Sequence, residues 1–212
     1  MIKIKNLSKK FGSQLVLDDI NLQMSKNDSI IIMGQNGAGK TTLIRTILGE
    51  YIPTVGSVEI EGVNPIKNRE MALLNLGFVP QLPPPIKLSV EELIRYTVSS
   101  GKADKEKIIL TCKEMDLDIN AHLNKIFFKL SGGMKQKLLI SIAIAREPKI
   151  FIFDEPTANL DPKGRESFYN IIKSFKEDRL LVFISHRVEE LAGLVNRKIE
   201  MDLAKVVKDE KI

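Results

Sequence analysis

The residues best placed to do chemistry run Gly34-Gln35-Asn36-Gly37-Ala38-Gly39-Lys40-Thr41-Thr42, which fits G-x-x-x-x-G-K-[ST]. A polyphosphate has to be wrapped by backbone N–H groups, and side chains at the wrapped positions would block that approach. Glycine supplies the necessary backbone angles, and a following helix aims its positive N-terminal end at the phosphates. In such a loop Lys40 reaches the β- and γ-phosphates and the Thr41 hydroxyl ligates Mg²⁺. The plain alternative is an ordinary glycine turn. Against it stands the context the motif requires: Ser29–Met33 reads as a buried strand, and 41–48 as a helix stopped by Gly49.

A second chemical signal lies downstream. The apolar run Ile150–Phe153 ends in Asp154-Glu155, so a buried strand delivers two carboxylates at its C-terminal end, the edge where open parallel α/β sheets bind ligands. Leu130-Ser-Gly-Gly-Met-Lys-Gln136 opens a helix with Ser131 as N-cap, which must end before Pro148. Asp161-Pro162 opens another, extending to about Lys176. Leu180–Ile184 is the next buried strand and leads to Ser185-His186.

The remaining elements frame these. Ile2–Ile4, Val16-Leu17 and Ile20–Met24 read as short β segments around Phe11-Gly12, and Ser57–Ile60 as a further strand, together an antiparallel β portion. Gly77–Gln81 reads as the end of a strand, and Pro83-Pro84-Pro85 as a stiff extended segment. Ser89 and Glu92 form a capping-box pattern that starts a helix to about Val98. Gly101 breaks that helix, and Asp104–Met115 makes another. Arg197–Asp209 alternates enough for one or two exposed strands.

The chain has 212 residues, 43% hydrophobic and 28% charged, a composition of ordinary globular proteins. No apolar run approaches the roughly 18 residues needed to cross a bilayer, and the N-terminus carries no signal-peptide core. Cys112 is the only cysteine, which rules out an intrachain disulfide and suits a reducing cytoplasm. The net charge of +5 comes from lysines spread along the chain, without an arginine-rich run or interleaved aromatics. A basic balance can mean nucleic acid or an anionic membrane surface, and charge alone does not decide; this spread reads as a solvated surface, with no nucleic-acid partner expected.

Phosphate loop, Gln81, Leu130-Ser131-Gly132-Gly133, Asp154-Glu155, Asp161 and His186, in this order, resemble the ATP-binding subunit of ABC transporters over nearly the whole chain. The resemblance implies an α/β fold: a P-loop NTPase core with a mainly parallel sheet, an antiparallel β subdomain and an inserted α-helical subdomain. It implies one domain over 1–212, with 1–89 and 126–212 as core plus β subdomain and 90–125 as the helical insertion. It further implies that Asp154 and Gln81, with Thr41, hold Mg²⁺ and that Glu155 is the general base for the attacking water. His186 would contact the γ-phosphate. Ser131, Gly132 and Gly133 would grip the γ-phosphate bound to a second subunit, and Asp161 would link the two sites. Phe11, 29 positions before Lys40, stands where the family places an aromatic that stacks on adenine; a core phenylalanine is the alternative.

The expected protein is therefore an ATPase that dimerises head-to-tail around two MgATP and drives a separate transmembrane permease subunit. It would sit peripherally on the cytoplasmic face of the cell membrane and resembles the export branch more than the nutrient importers. A soluble ABC ATPase acting on nucleic acid or ribosomes is the rival. Such proteins carry long coiled-coil insertions or two fused ATPase domains, neither of which this chain has. Two departures stand out: Lys137 where arginine is frequent, and Asp202-Leu-Ala-Lys205 without the glycine usual in the final hairpin.

Overall fold

The computed structural model describes residues 1–100, 103–174, 177–186 and 188–212. The helix stop expected at Gly101 and the helix end expected near Lys176 lie outside the described residues. The chain divides into two compact units, one of Met1–Leu76, Lys149–Ile152 and Lys176–Ile212, the other of Gly77–Pro148 and Phe153–Phe175.

In the first unit, β1 (Ile2–Phe11), β2 (Gln14–Met24) and β4 (Val55–Ile60) form an antiparallel sheet in the order β2-β1-β4. The short segments expected in 2–24 are thus two long strands. Register shifts after Ile4 and Leu7 interrupt the alternation that would have revealed their length. The strand before the glycine-rich loop, β3 (Ser29–Met33), runs parallel to β7 (Leu180–Ile184) on one side and β8 (Arg197–Asp202) on the other. β8 pairs antiparallel with β9 (Lys205–Lys211). With β5 (Leu76–Val79) and β6 (Ile150–Asp154), these make a sheet in the order β5-β6-β7-β3-β8-β9. β7 is buried throughout, which is why it reads as an unbroken apolar run. The tail is less exposed than expected, because β8 lies between β3 and β9 and buries Ile199 and Met201.

α1 (Lys40–Ile47) follows β3 as expected, with Gly49 in the left-handed region just beyond it. A short helix, α2 (Arg69–Leu73), was not expected. Its five residues bury only Ala72, too little periodicity to read. Arg197 ties this unit together: its guanidinium makes two 2.7 Å hydrogen bonds to the Asp209 carboxylate, and donates to Asp28 at 3.0 Å and to the Gln23 carbonyl at 2.8 Å.

The second unit holds α3 (Val90–Ser99), α4 (Lys105–Glu114), α5 (Gly132–Ala145) and α6 (Pro162–Ser174). Both expected arms of the Ser89–Glu92 capping box are present: Ser89 N–H donates to Glu92 at 2.7 Å, and Glu92 N–H to Ser89 Oγ at 3.1 Å. Val90, Ile94, Ile108, Cys112, Phe127 and Leu138 form the core here. Burial pushes the Cys112 thiol up to about 11, against an opposing hydrogen bond to Ser141. That thiol is therefore a packing group, not a nucleophile.

Candidate functional site

The phosphate loop is built as its sequence requires. Gly34, Gly37 and Gly39 take φ of 149°, 86° and 102°, so the loop turns through backbone angles that glycine favours, and α1 starts at Lys40. Around Gly37 a Cβ would meet nothing within 4 Å, so that side of the loop is open. Gly34 and Gly39 have no such room: a Cβ on Gly34 would overlap the Met201 carbonyl oxygen, and one on Gly39 would lie 2.6 Å from that of Val16. Lys40 Nζ donates to the Gly34 and Gln35 carbonyls at 2.5 and 2.9 Å, so the ammonium sits across the loop. No acidic residue occupies the first turn of α1; an anion there meets the positive end of the helix unopposed.

Phe11 ends β1 and is 43% exposed, which excludes the core alternative. Its ring meets Tyr51 edge-on at 5.1 Å, with Lys9 Nζ 4.7 Å from its centroid. His186 follows β7, past the buried Ser185, and is itself exposed.

In the second unit, Asp154 closes the wholly buried strand β6. Glu155 follows with φ of 45°. A non-glycine residue in that region is strained by about 1–2 kcal/mol, and such strain gathers where a side chain must be aimed. The chain then turns through Ala158–Asp161, and this segment gathers several expected residues. Asn159 Nδ2 donates to the Gln81 carbonyl at 3.3 Å, and a Cβ on Gly133 would lie 3.0 Å from the Asn159 carbonyl. Ser131 caps α5 by accepting from Met134 N–H at 3.3 Å. Gln136, fully buried one turn along, donates to the Pro80 carbonyl at 3.3 Å and so anchors the segment that carries Gln81. Asn159 and Gln136 were not singled out from sequence: both bind backbone carbonyls far away in the chain, and no local pattern announces that.

A family model described as ABC transporter matches residues 17–158. The chain belongs to the ABC transporter family. It is 32% identical over 228 residues to the energy-coupling factor transporter ATP-binding protein EcfA2 of Clostridium perfringens (strain 13 / Type A), covering 100% of this chain and 80% of that one. It is 35% identical over 199 residues to the bacitracin transport ATP-binding protein BcrA of Bacillus licheniformis, covering 92% and 65%. A solved ATP-binding subunit of an ABC transporter superposes with a TM-score of 0.92 at 24% identity, over 100% of this chain and 90% of that one. A dimeric post-hydrolysis state of the ATP-binding cassette MJ0796, bound to ADP and Pi, gives 0.85 at 28% identity over 100% and 98%. The fold is that of the ABC ATPase cassettes, and the ABC chain is an ATP-binding ATPase. Among its described residues, no helix is long and apolar enough to cross a membrane.

The donor types expected from the sequence are those that magnesium takes. Among the described residues no group of three or more His, Cys, Asp or Glu side chains could hold a metal. The expected donors are a hydroxyl, an amide and one carboxylate, all hard oxygens. Magnesium is typically held in this way, by one or two protein groups with substrate phosphates and water completing the shell.

Proposed function

We propose that this chain is the ATP-hydrolysing subunit of an ABC transporter, and that two copies pair head-to-tail around two MgATP. In this reading Gly34–Thr42 wraps the phosphates of one nucleotide and Phe11 stacks on its base, while Ser131, Gly132 and Gly133 of the second copy cover its γ-phosphate. Thr41, Gln81 and Asp154 hold Mg²⁺, which neutralises phosphate charge. Glu155 accepts a proton from the attacking water, His186 holds the γ-phosphate side of the reaction, and Asp161 relates the two sites. ATP contacts both copies only in the closed pair, so binding shifts the population towards closure and hydrolysis releases it.

The pair drives a separate permease, with this chain peripheral on the cytoplasmic face of the membrane. Export is the direction we favour, supported by the signature Leu130–Gln136 and the compact length of the chain. One cassette domain spans 1–212, with 90–125 as its helical insertion. The observation that carries the reading is the phosphate loop, three glycines at positive φ with Lys40 laid across them.

Glu155→Gln tests it. A general base contributes about 10²–10⁴-fold, so turnover should fall at least a hundredfold while ATP converts the protein to a dimer by light scattering. Near-normal hydrolysis, or a protein that stays monomeric with ATP, would refute the assignment.

A further inference from the structure

We infer that Met201 is a positioning residue for ATP binding, because this one residue backs the phosphate loop at both of its ends. The inference rests on reading Gly34–Thr42 as the phosphate site. β3 and β8 run parallel with Met33 opposite Glu200, which brings Met201 beside Gly34, the first residue past the strand. There its backbone carbonyl occupies the place a Gly34 Cβ would need. Its side chain, 1% exposed, passes on to the far end of the loop, where Cε stands 3.5 Å from the position of a Gly39 Cβ. The rest of the wall at Gly39 is the Val16 carbonyl, at 2.6 Å from that position, and Leu17 Cδ2, at 3.0 Å.

The two halves of this wall are fastened to each other. Asp18 N–H donates to the Ala204 carbonyl at 2.9 Å, and Lys205 Nζ lies 3.2 Å from Asp18 Oδ2. The β8–β9 turn is thereby pinned to the stretch of β2 that faces Gly39. Both loop glycines are thus needed for two reasons: their backbone angles, and the backbone atoms of distant strands pressed against them.

A loop held from behind in this way presents its N–H groups at fixed positions. Methionine fills the gap with a flexible, unbranched thioether, and it is the volume of that side chain that closes the space behind Gly39. Removing it leaves a void behind Gly39, into which the start of α1 and Lys40 can shift. Contacts made to the phosphates equally in the bound state and in the transition state, when weakened, raise Kd and KM and leave kcat largely as it was.

The test uses the full chain and measures MgATP Kd, KM, kcat and Tm. Met201→Ala should raise Kd and KM by about tenfold, within the range that small misplacements produce, with kcat at saturation nearly unchanged. Met201→Leu, similar in volume, should restore Kd. If Met201→Ala lowers Tm alone, with Kd and KM at wild-type values, the residue is only structural and the inference fails. Should Met201→Ala not fold, the milder Met201→Val shortens the same side chain and leaves a smaller void behind Gly39. It should raise KM by about two- to threefold, and an unchanged KM overturns the inference. Lys40→Ala separates the two readings. If Lys40→Ala keeps full ATP affinity, the phosphate-site reading falls; if it loses affinity while Met201→Ala does not, only the positioning role falls.

Discussion

Lys137 Nζ stands 3.2 Å from Asp161 Oδ1, with the lysine side chain 10% exposed and the aspartate 55%. The contact joins α5, the helix behind Ser131, to the start of α6. Gly164 makes room for it: a Cβ there would lie 2.7 Å from Asp161 Oδ1 and 2.9 Å from Lys137 Cε. Hydrogen bonding from Lys137 holds the Asp161 carboxyl below the usual carboxylate range, against a smaller opposing effect of burial. A second pair, Lys163 with Asp116 at 2.8 Å, lies alongside.

Gly164→Ala sets two effects against each other. Alanine in a helix gains up to about 1 kcal/mol over glycine, but both atoms it displaces belong to the ion pair. The net gain in urea unfolding should therefore fall short of that figure, and the Asp161 carboxyl should titrate nearer its ordinary value by NMR. The sign in pH follows from the lowered pKa. The pair's contribution is present above the unfolded pKa near 3.9 and is lost as pH falls through the lower folded value. Wild type and Gly164→Ala should differ in acid sensitivity only below about pH 4. An Asp161 titration unchanged by Gly164→Ala would refute this account.

The β8–β9 turn offers a gain in stability with no such opposition. Between the paired residues Asp202 and Lys205 only Leu203 and Ala204 remain, with φ of 43° and 70°. Positive φ at both central positions is the type I′ pattern that asparagine and glycine favour. Leu203 is 84% exposed and packs little. Replacing Leu203-Ala204 by Asn-Gly should add about 2 kcal/mol by relieving two left-handed residues, raising Tm by about 5 °C in a domain of this size. Because the Ala204 carbonyl still accepts from Asp18, KM for ATP should not move. A lower Tm would show that the turn is not strained.

Much of this architecture was legible in the residues because local chemistry set it. The phosphate loop, the Ser89–Glu92 box, the Ser131 cap and the buried strands β6 and β7 each depend on neighbours within a few positions. What escaped reading depends on distance in the chain. The missing hairpin glycine left the final turn undefined, yet the Asp18–Ala204 hydrogen bond holds that turn from another strand. The tail looked exposed because nothing local reveals that β8 is placed next to β3. For the same reason neither Met201 nor Asn159 stood out: each matters through a backbone atom that it sets against a residue far away in sequence. Lys137 looked like a weakened arginine, whereas the room beside Gly164 is already filled to contact by lysine.

We propose that a permease partner docks on α3, and that surface can be probed there. Leu82 and Tyr96 are 77% and 66% exposed, and a cavity of about 250 Å³ lies against the helix, with Ile94, Val98 and Leu123 in its lining and Glu91, Arg95 and Lys105 charged around it. An apolar floor with a charged rim suits one face of an amphipathic helix. Of the acidic residues here, Glu92 is the wrong one to change: Ser89 holds its carboxylate in the capping box and lowers its pKa, so a swap there would disturb the helix start. Glu91 and Arg95 are both exposed and one helical turn apart. Exchanging them, Glu91→Arg with Arg95→Glu, keeps an opposite pair within the helix and reverses the field seen by a partner. Such surface pairs contribute under about 1 kcal/mol, so Tm and basal ATP hydrolysis should be preserved. Like charges brought together across an interface cost several kcal/mol. The stimulation of hydrolysis by the reconstituted permease, and transport with it, should therefore be lost. Normal coupling in the exchanged variant would place the docking surface elsewhere.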